Sequence, residues 1–179
     1  MWTTDRVATQ HFVDRETFPR DAAVNVDGTV EDGRVAATPG YSGTPLPKKL
    51  GIRPGARVLL DSAPEGFEVD TLGELPDGVV VHRRAGKAAY DVVVVFRSHA
   101  STYRRHLDRD IARITTDGRL WVAWPKKASG VLTDLSDNVV RTEGLAAGVV
   151  DTKVCAIDQT WSGLMFVRRL SDRPKHRDG

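Results

Sequence analysis

A chain of 179 residues has the length of one ordinary domain that can bury a core. Its 26 lysines and arginines against 24 acidic residues leave a formal charge of +2, so bulk charge does not demand a nucleic-acid partner and only local clustering could argue for one. The single cysteine, Cys155 in TKVCAI, excludes disulfides within the chain and reads as a buried, inert thiol in a reducing compartment.

Residues 1–39 carry scattered apolar side chains among Pro19, Gly28, Gly33 and Pro39, with neither helical nor strand period. They are expected to form a disordered or extended N-terminal segment. The start, MWTTDRVATQHF, has no apolar core of signal-peptide length, and the longest aliphatic run, VVVV at 92–95, falls short of a membrane span. The expectation is a cytoplasmic protein with no membrane partner. Arginine outnumbers lysine 19 to 7, which points to a GC-rich coding sequence in which starts are easily misplaced upstream. Whether the first 39 residues belong to the mature protein is open on sequence. The folded domain is expected over 40–170, followed by a charged tail at 171–179, SDRPKHRDG.

Within the domain, PLPKKLG predicts a short helix. RVLLD at 57–61, VVVH at 79–82, YDVVVVF at 90–96 and LWVAW at 120–124 predict strands. Their near-continuous apolarity requires cover on both faces, which a largely parallel sheet flanked by helices supplies. Between His82 and Asp91 only RRAGKAAY intervenes, too short for a helical crossover, although eight extended residues reach roughly 27 Å. Either the two strands form a hairpin, or the link runs along the underside of the first strand and re-enters in parallel; the second is favoured. In TYRRHLDRDIARI, Tyr103, Leu107, Ile111 and Ile114 recur at helical spacing, with Arg104 and Asp108 four apart on the polar side. A further helix is expected to begin in TDLSDNVV, where Thr133 or Asp134 can cap it, and to stop near Gly148. VVDTKVCAIDQTWSGLMFVRR predicts two strands closed as an antiparallel hairpin.

The succession LGIRPGARVLLDSAPEGF, YDVVVVF, ITTDGRLWVAWPK and LAAGVVDTKVCAIDQTWSGLMFVRR, over residues 48–169, resembles the skeleton of the S-adenosylmethionine-dependent methyltransferases. The resemblance implies an α/β fold: a single methyltransferase-like Rossmann domain with a mostly parallel sheet flanked by helices. GYSGTPLPKKLGIRPGARV at 40–58, APEGF at 63–67, WPKKASGVLTDL at 124–135 and the ending VDTKVCAIDQTWSGLMFVRR more closely resemble a small bacterial family, domain of unknown function three thousand and fifty-two. That second resemblance implies a bacterial, actinobacterial source and carries no established activity.

Three departures bear on the cofactor. The family's corner after the first strand resembles GxGxG, but SAPEG puts Pro64 in the turn and keeps only Gly66, removing an amide donor and most of the backbone freedom. The second strand of such enzymes ends in an acidic residue that accepts from the ribose hydroxyls, whereas here it ends in His82, Arg83 and Arg84, which offer donors. A strand and a helix are also missing before the third strand. The corner therefore reads as a remnant, and S-adenosylmethionine remains only a candidate cofactor.

Open α/β sheets bind ligands beyond the carboxyl ends of their strands. Those ends deliver Asp61, Ser62, Glu65 and Gly66 from the first strand, Arg97, Ser98 and His99 from the third, and Trp124, Lys126, Lys127 and Ser129 from the fourth, all expected to face one crevice. Two lysines, an arginine and a helix start near Thr133 suit a phosphate or carboxylate, although solvated lysines paired with Glu65 or Asp61 would look the same in sequence. His99 with Asp61 could form a base and its orienting acid, but no serine or cysteine stands in a nucleophile elbow. His82, His99 and His106 lack metal-ligand spacing, so no metal is predicted. Trp121 and Trp124, three apart on a strand, should face opposite ways, Trp121 into the core and Trp124 at the crevice rim, while Trp161 covers the sheet edge. The leading expectation is a noncatalytic domain that binds a small anion or a protein partner. The alternatives are an active methyltransferase with a degenerate cofactor loop and a nucleic-acid accessory protein using Arg97, Arg104, Arg105, Arg109, Lys126 and Lys127.

Overall fold

The computed structural model describes residues 43–172; the segment expected at 1–39 and nearly all of the charged tail lie outside the described residues. The chain enters through a short helix, α1 (Leu46–Leu50), begun by prolines and ended by Gly51 in the left-handed region at φ 77°, where glycine carries no Cβ penalty. The N–H groups of Gly51 and Ile52 donate to the carbonyls of Lys48 and Pro47, so this one-turn helix leaves few orphaned acceptors. Leu50 is fully buried, and its carbonyl accepts the indole N–H of Trp121 at 3.0 Å.

Strands β1 (Arg57–Asp61), β2 (Val80–His82), β3 (Tyr90–Phe96), β4 (Ile114–Pro125), β5 (Val149–Ala156) and β6 (Trp161–Arg168) form one sheet in the order β2-β1-β3-β4-β6-β5. β1 pairs in parallel with both β2 and β3, and β3 with β4; β6 runs antiparallel to β4 and β5. The expected α/β fold, a mostly parallel sheet flanked by helices and closed by an antiparallel hairpin, is what the chain adopts. The short link at 83–89 does not close a hairpin. β2 and β3 flank β1 on opposite sides, so the link passes the first strand and re-enters in parallel, as favoured.

Alternation along the strands divides the core into two layers. Leu59, Val93, Val95, Leu120, Val122 and Trp124 pack under α2 (Ala100–Ala112) and α3 (Asp137–Ala146), which contribute Tyr103, Leu107 and Val140. Val58, Leu60, Val92, Val94, Trp121 and Ala123 pack against Leu50 of α1 and against Phe67 and Leu72, around a single π-helical turn at Glu68–Leu72. Strands buried on both faces explain the unbroken apolar runs.

Several expectations shift in detail. Ile114 opens β4 instead of extending the α2 stripe, and TTDGR belongs to that strand, with an irregular register between Tyr90 and Val92. The α3 cap is Ser136, whose hydroxyl accepts the Val139 N–H at 3.3 Å. Asp134 instead accepts the Ala100 N–H at 2.7 Å and so caps α2, while the Thr133 hydroxyl donates to the Ser98 carbonyl at 2.7 Å. Arg104 reaches across to Glu143 on α3 at 2.7 Å, not to Asp108. Trp121 and Trp124 face opposite layers as expected, but Trp124 is buried and does not stand at a rim. Cys155 is half-buried, and burial raises its thiol pKa.

Candidate functional site

The corner after β1 is held by an arginine from the next strand. Ser62 takes a positive φ of 60°, an uncommon conformation for a residue with a side chain, and Gly66 turns the chain again at φ 74°. A side chain at Gly66 would collide with the Asp70 carboxylate. Across this turn lies Arg83, just beyond β2. Its Nη1 donates to the Ala63 carbonyl at 3.2 Å, its Nη2 to the Pro64 carbonyl at 2.9 Å and its Nε to Glu68 Oε1 at 2.6 Å, with a second, short contact from Nη2 to Glu68 Oε2. The guanidinium fork thus clasps both turn carbonyls and one carboxylate. The Arg83 hydrogen bonds lower the Glu68 pKa against the opposing effect of burial.

The other side of the β1 end is a charged network under α2. Asp61 Oδ1 accepts from Arg97 Nη1 at 3.2 Å and from the Ser62 hydroxyl at 2.9 Å, and Oδ2 meets Arg113 at 2.8 Å and Arg109 at 3.4 Å. Asp110 of α2 completes the set, with Arg97 at 2.8 Å, Arg109 at 3.1 Å and Arg113 at 3.4 Å. Arg97 and Asp110 are only 4% and 1% exposed, so their charges must pair inside the fold. Burial would raise the Asp61 carboxyl, but the Ser62 hydrogen bond and the charges of Arg97 and Arg113 outweigh it and hold the pKa below its ordinary value.

The predicted site residues therefore separate. Asp61, Ser62 and Arg97 come together, but Arg97 turns into the protein, toward Asp110, and away from the expected crevice. Trp124 is in the core. Lys126 donates from Nζ to the Asp158 carbonyl at 2.5 Å, fastening the end of β4 to the β5–β6 turn, and the Ser129 hydroxyl donates back to the Lys126 carbonyl at 2.7 Å. Lys127, Glu65 and His99 are exposed, and Gly66 is partly so. Asp61 is committed to arginines, so it does not orient His99 as a base. Arg83, Arg109, Arg113 and Asp110 were absent from the predicted site. Arg83 had a visible signal, a basic residue where the family pattern carries an acid, whereas the Asp110 pairing depends on which side of α2 meets β1.

No family model and no curated protein matches the chain. Among solved structures, a possible exported protein from Bordetella parapertussis is similar at 11% identity and a TM-score of 0.50, over 69% of this chain and 65% of that one. A magnesium protoporphyrin IX methyltransferase from Synechocystis PCC 6803 with bound S-adenosylmethionine aligns at 13% identity and a TM-score of 0.43, over 65% and 71% of the two chains. An S-adenosylmethionine-dependent methyltransferase from Aquifex aeolicus aligns at 14% and 0.47, over 68% and 86%. The chain spans about 65% of the length of the Bordetella protein. At such identities the likeness concerns the fold alone.

The residues at the corner do not fit S-adenosylmethionine. A cofactor lying against the turn needs its backbone groups free, but the carbonyls of Ala63 and Pro64 are taken by Arg83 and the amide of Pro64 does not exist. An acceptor for ribose hydroxyls is wanted at the end of β2. That position holds His82, whose ring meets Tyr90 edge-on at 5.5 Å between centroids. No strand lies beyond β2 in the sheet of the described residues, so the outer wall of such a pocket is missing as well.

Proposed function

We propose that this chain is a noncatalytic methyltransferase-like domain whose C-terminal sheet edge binds an acidic protein partner. The observation that carries the proposal is the Arg83 clasp, which occupies the corner a cofactor would need. A protein partner suits the edge better than a small anion does, because the exposed cation among the predicted edge residues is Lys127 and one lysine makes no pocket. Lys127 stands on the same loop as Leu132 at 86% exposure and Val131 at 43%. Exposed aliphatic side chains beside a lysine form a contact surface in place of a pocket. The nucleic-acid alternative loses most of its groups: Arg97 is buried, Arg104 holds Glu143, Arg109 holds Asp61 and Asp110, and Lys126 donates to the Asp158 carbonyl, which leaves Arg105 and Lys127.

The proposal also includes membership of the small bacterial family, supported by GYSGTPLPKKLGIRPGARV, APEGF and WPKKASGVLTDL, and residence in the cytoplasm. No helix among the described residues is long and apolar enough to cross a membrane. A photoreactive residue at position 132 tests the partner. In native host cells it should give one discrete protein adduct, which disappears with Lys127→Glu and is absent when the same group stands at Arg105 on α2. Equal labelling at 132 and 105, or no adduct at all, would remove the partner from the proposal.

A further inference from the structure

The opposite edge of the sheet carries a different feature. At the amino ends of β1, β3 and β4 lies a cleft of about 330 Å³, lined by Gly51, Arg53, Ala56, Asp91, Thr115 and Arg119, together with Pro54, Gly55 and Asp117. It lies at the other end of the strands from the Arg83 clasp and shares none of its residues.

Many arginines of the fold are tied up: Arg83, Arg97, Arg104, Arg109, Arg113, Arg141 and Arg168 each donate to a carboxylate or carbonyl. Arg53 and Arg119, like the exposed Arg84 and Arg105, have no ion pair or side-chain hydrogen bond among the described residues, and these two line one cleft. Arg119 is nonetheless half-buried, lying against Gly51 so closely that a Cβ there would stand 2.8 Å from Nε. A half-buried guanidinium with its fork unpaired can receive an oxyanion.

The Asp91 carboxylate restricts which oxyanion fits. Its Oδ2 accepts the backbone N–H of Arg57 at 2.8 Å, which pins the carboxylate beside the cleft it lines. Asp91 lines the cleft together with Arg53 and Arg119, so a bare dianion is attracted by the arginines and repelled by the Asp91 carboxylate. An anion that brings its own hydrogen satisfies both, accepting from the arginines and donating to Asp91. Hydrogen phosphate has that hydrogen near neutral pH and sulfate does not, though they share shape and size. The volume exceeds what one such ion needs and falls at the small end of ligand pockets.

We propose that this cleft is a binding site for phosphate or a small phosphorylated molecule, with Arg119 and Arg53 holding the oxyanion, Thr115 supplying a hydroxyl and Asp91 accepting the ligand's own donor. The site does not depend on how the C-terminal edge is used.

The experiment is a titration of the full chain in chloride buffer with inorganic phosphate and, separately, sodium sulfate, followed by backbone amide and arginine Nε resonances. Phosphate should give saturable shifts at Gly51, Gly55 and Arg119, at least about tenfold tighter than sulfate, the discrimination expected when a bare anion meets an acceptor in a desolvated site. Arg119→Gln should weaken phosphate about tenfold or more. Asp91→Asn can keep the Arg57 N–H bond through its carbonyl while turning a donor to the cleft, so it should raise sulfate affinity and erase the preference; its dispersed spectrum reports that the fold is intact. Equal response to the two anions, shifts that fail to saturate, or binding unchanged in Arg119→Gln would overturn the assignment.

Discussion

Asp110 has 1% of its surface exposed and meets three arginines, of which only Arg97 is buried as deeply. Removing Arg97 leaves the buried Asp110 carboxylate to Arg109 and Arg113, which are more exposed and stand at 3.1 and 3.4 Å, a weaker compensation than the pair it loses. Arg97→Met should therefore lower the unfolding free energy by about 3 kcal/mol, read as a shift in urea midpoint. Arg97→Met combined with Asp110→Leu should recover most of that loss, since an apolar replacement of both partners is often neutral. Asp61 adds a pH dependence. Its folded pKa lies below the unfolded value of 3.8, so the unfolded chain binds more protons as the pH falls. The stability that this carboxylate contributes is present above 3.8 and is lost as the pH drops through the folded value. Asp61→Asn should thus be less stable than the parent at neutral pH, with the gap in melting temperature closing below pH 3.8. A gap that stayed constant into acid would mean the three arginines contribute nothing through that charge.

Among the elements, α3 shows how packing can reverse a local preference. Gly144 lies within its last turns, where alanine would ordinarily favour the helix by roughly 1 kcal/mol. A Cβ at this position would run into the ring of Phe166, which is fully buried on β6. Gly144→Ala should therefore destabilise by about 1–3 kcal/mol, the cost of overpacking a filled core, despite improving helix propensity; thermal denaturation decides between the two signs. The caps belong to the same scale. Ser136→Ala should cost about 1 kcal/mol through α3, but Asp134→Ala acts on α2, whose first amide it binds. Hydrogen exchange in the variant should accelerate at Ala100, not at Val139. Sequence offered Thr133 or Asp134 as the cap of α3; the structure gives it to Ser136 and puts Asp134 on α2. The reason is physical: capping donors are read along the chain, and Ala100 lies 34 residues away.

For the whole molecule, the central strands were legible because β1, β3 and the second half of β4 are buried on both faces, so RVLLD and YDVVVVF appear as unbroken apolar runs with little ambiguity. The closing hairpin was legible from its short polar turn, and the parallel re-entry of β3 from the reach of an extended link. The site was not. Reading carboxyl ends of strands gathers residues by topology, but whether Arg97 points outward or inward depends on Asp110, which belongs to another element. Lys126 was likewise assigned to a crevice and instead fastens a turn. At the corner, Pro64 and the basic end of β2 marked a departure from the resembled pattern, and Arg83 folding onto the Ala63 and Pro64 carbonyls is its structural form.

The most direct test of the closed corner is calorimetric titration of the full chain with S-adenosylmethionine and S-adenosylhomocysteine, accompanied by melting curves at saturating ligand and by Arg83→Ala as the opened variant. The clasp predicts no detectable heat and an unchanged melting temperature for the parent chain. Micromolar binding to the parent, with a rise in melting temperature, would contradict the noncatalytic account and return Asp61 and the SAPEG turn to the role of a working cofactor site.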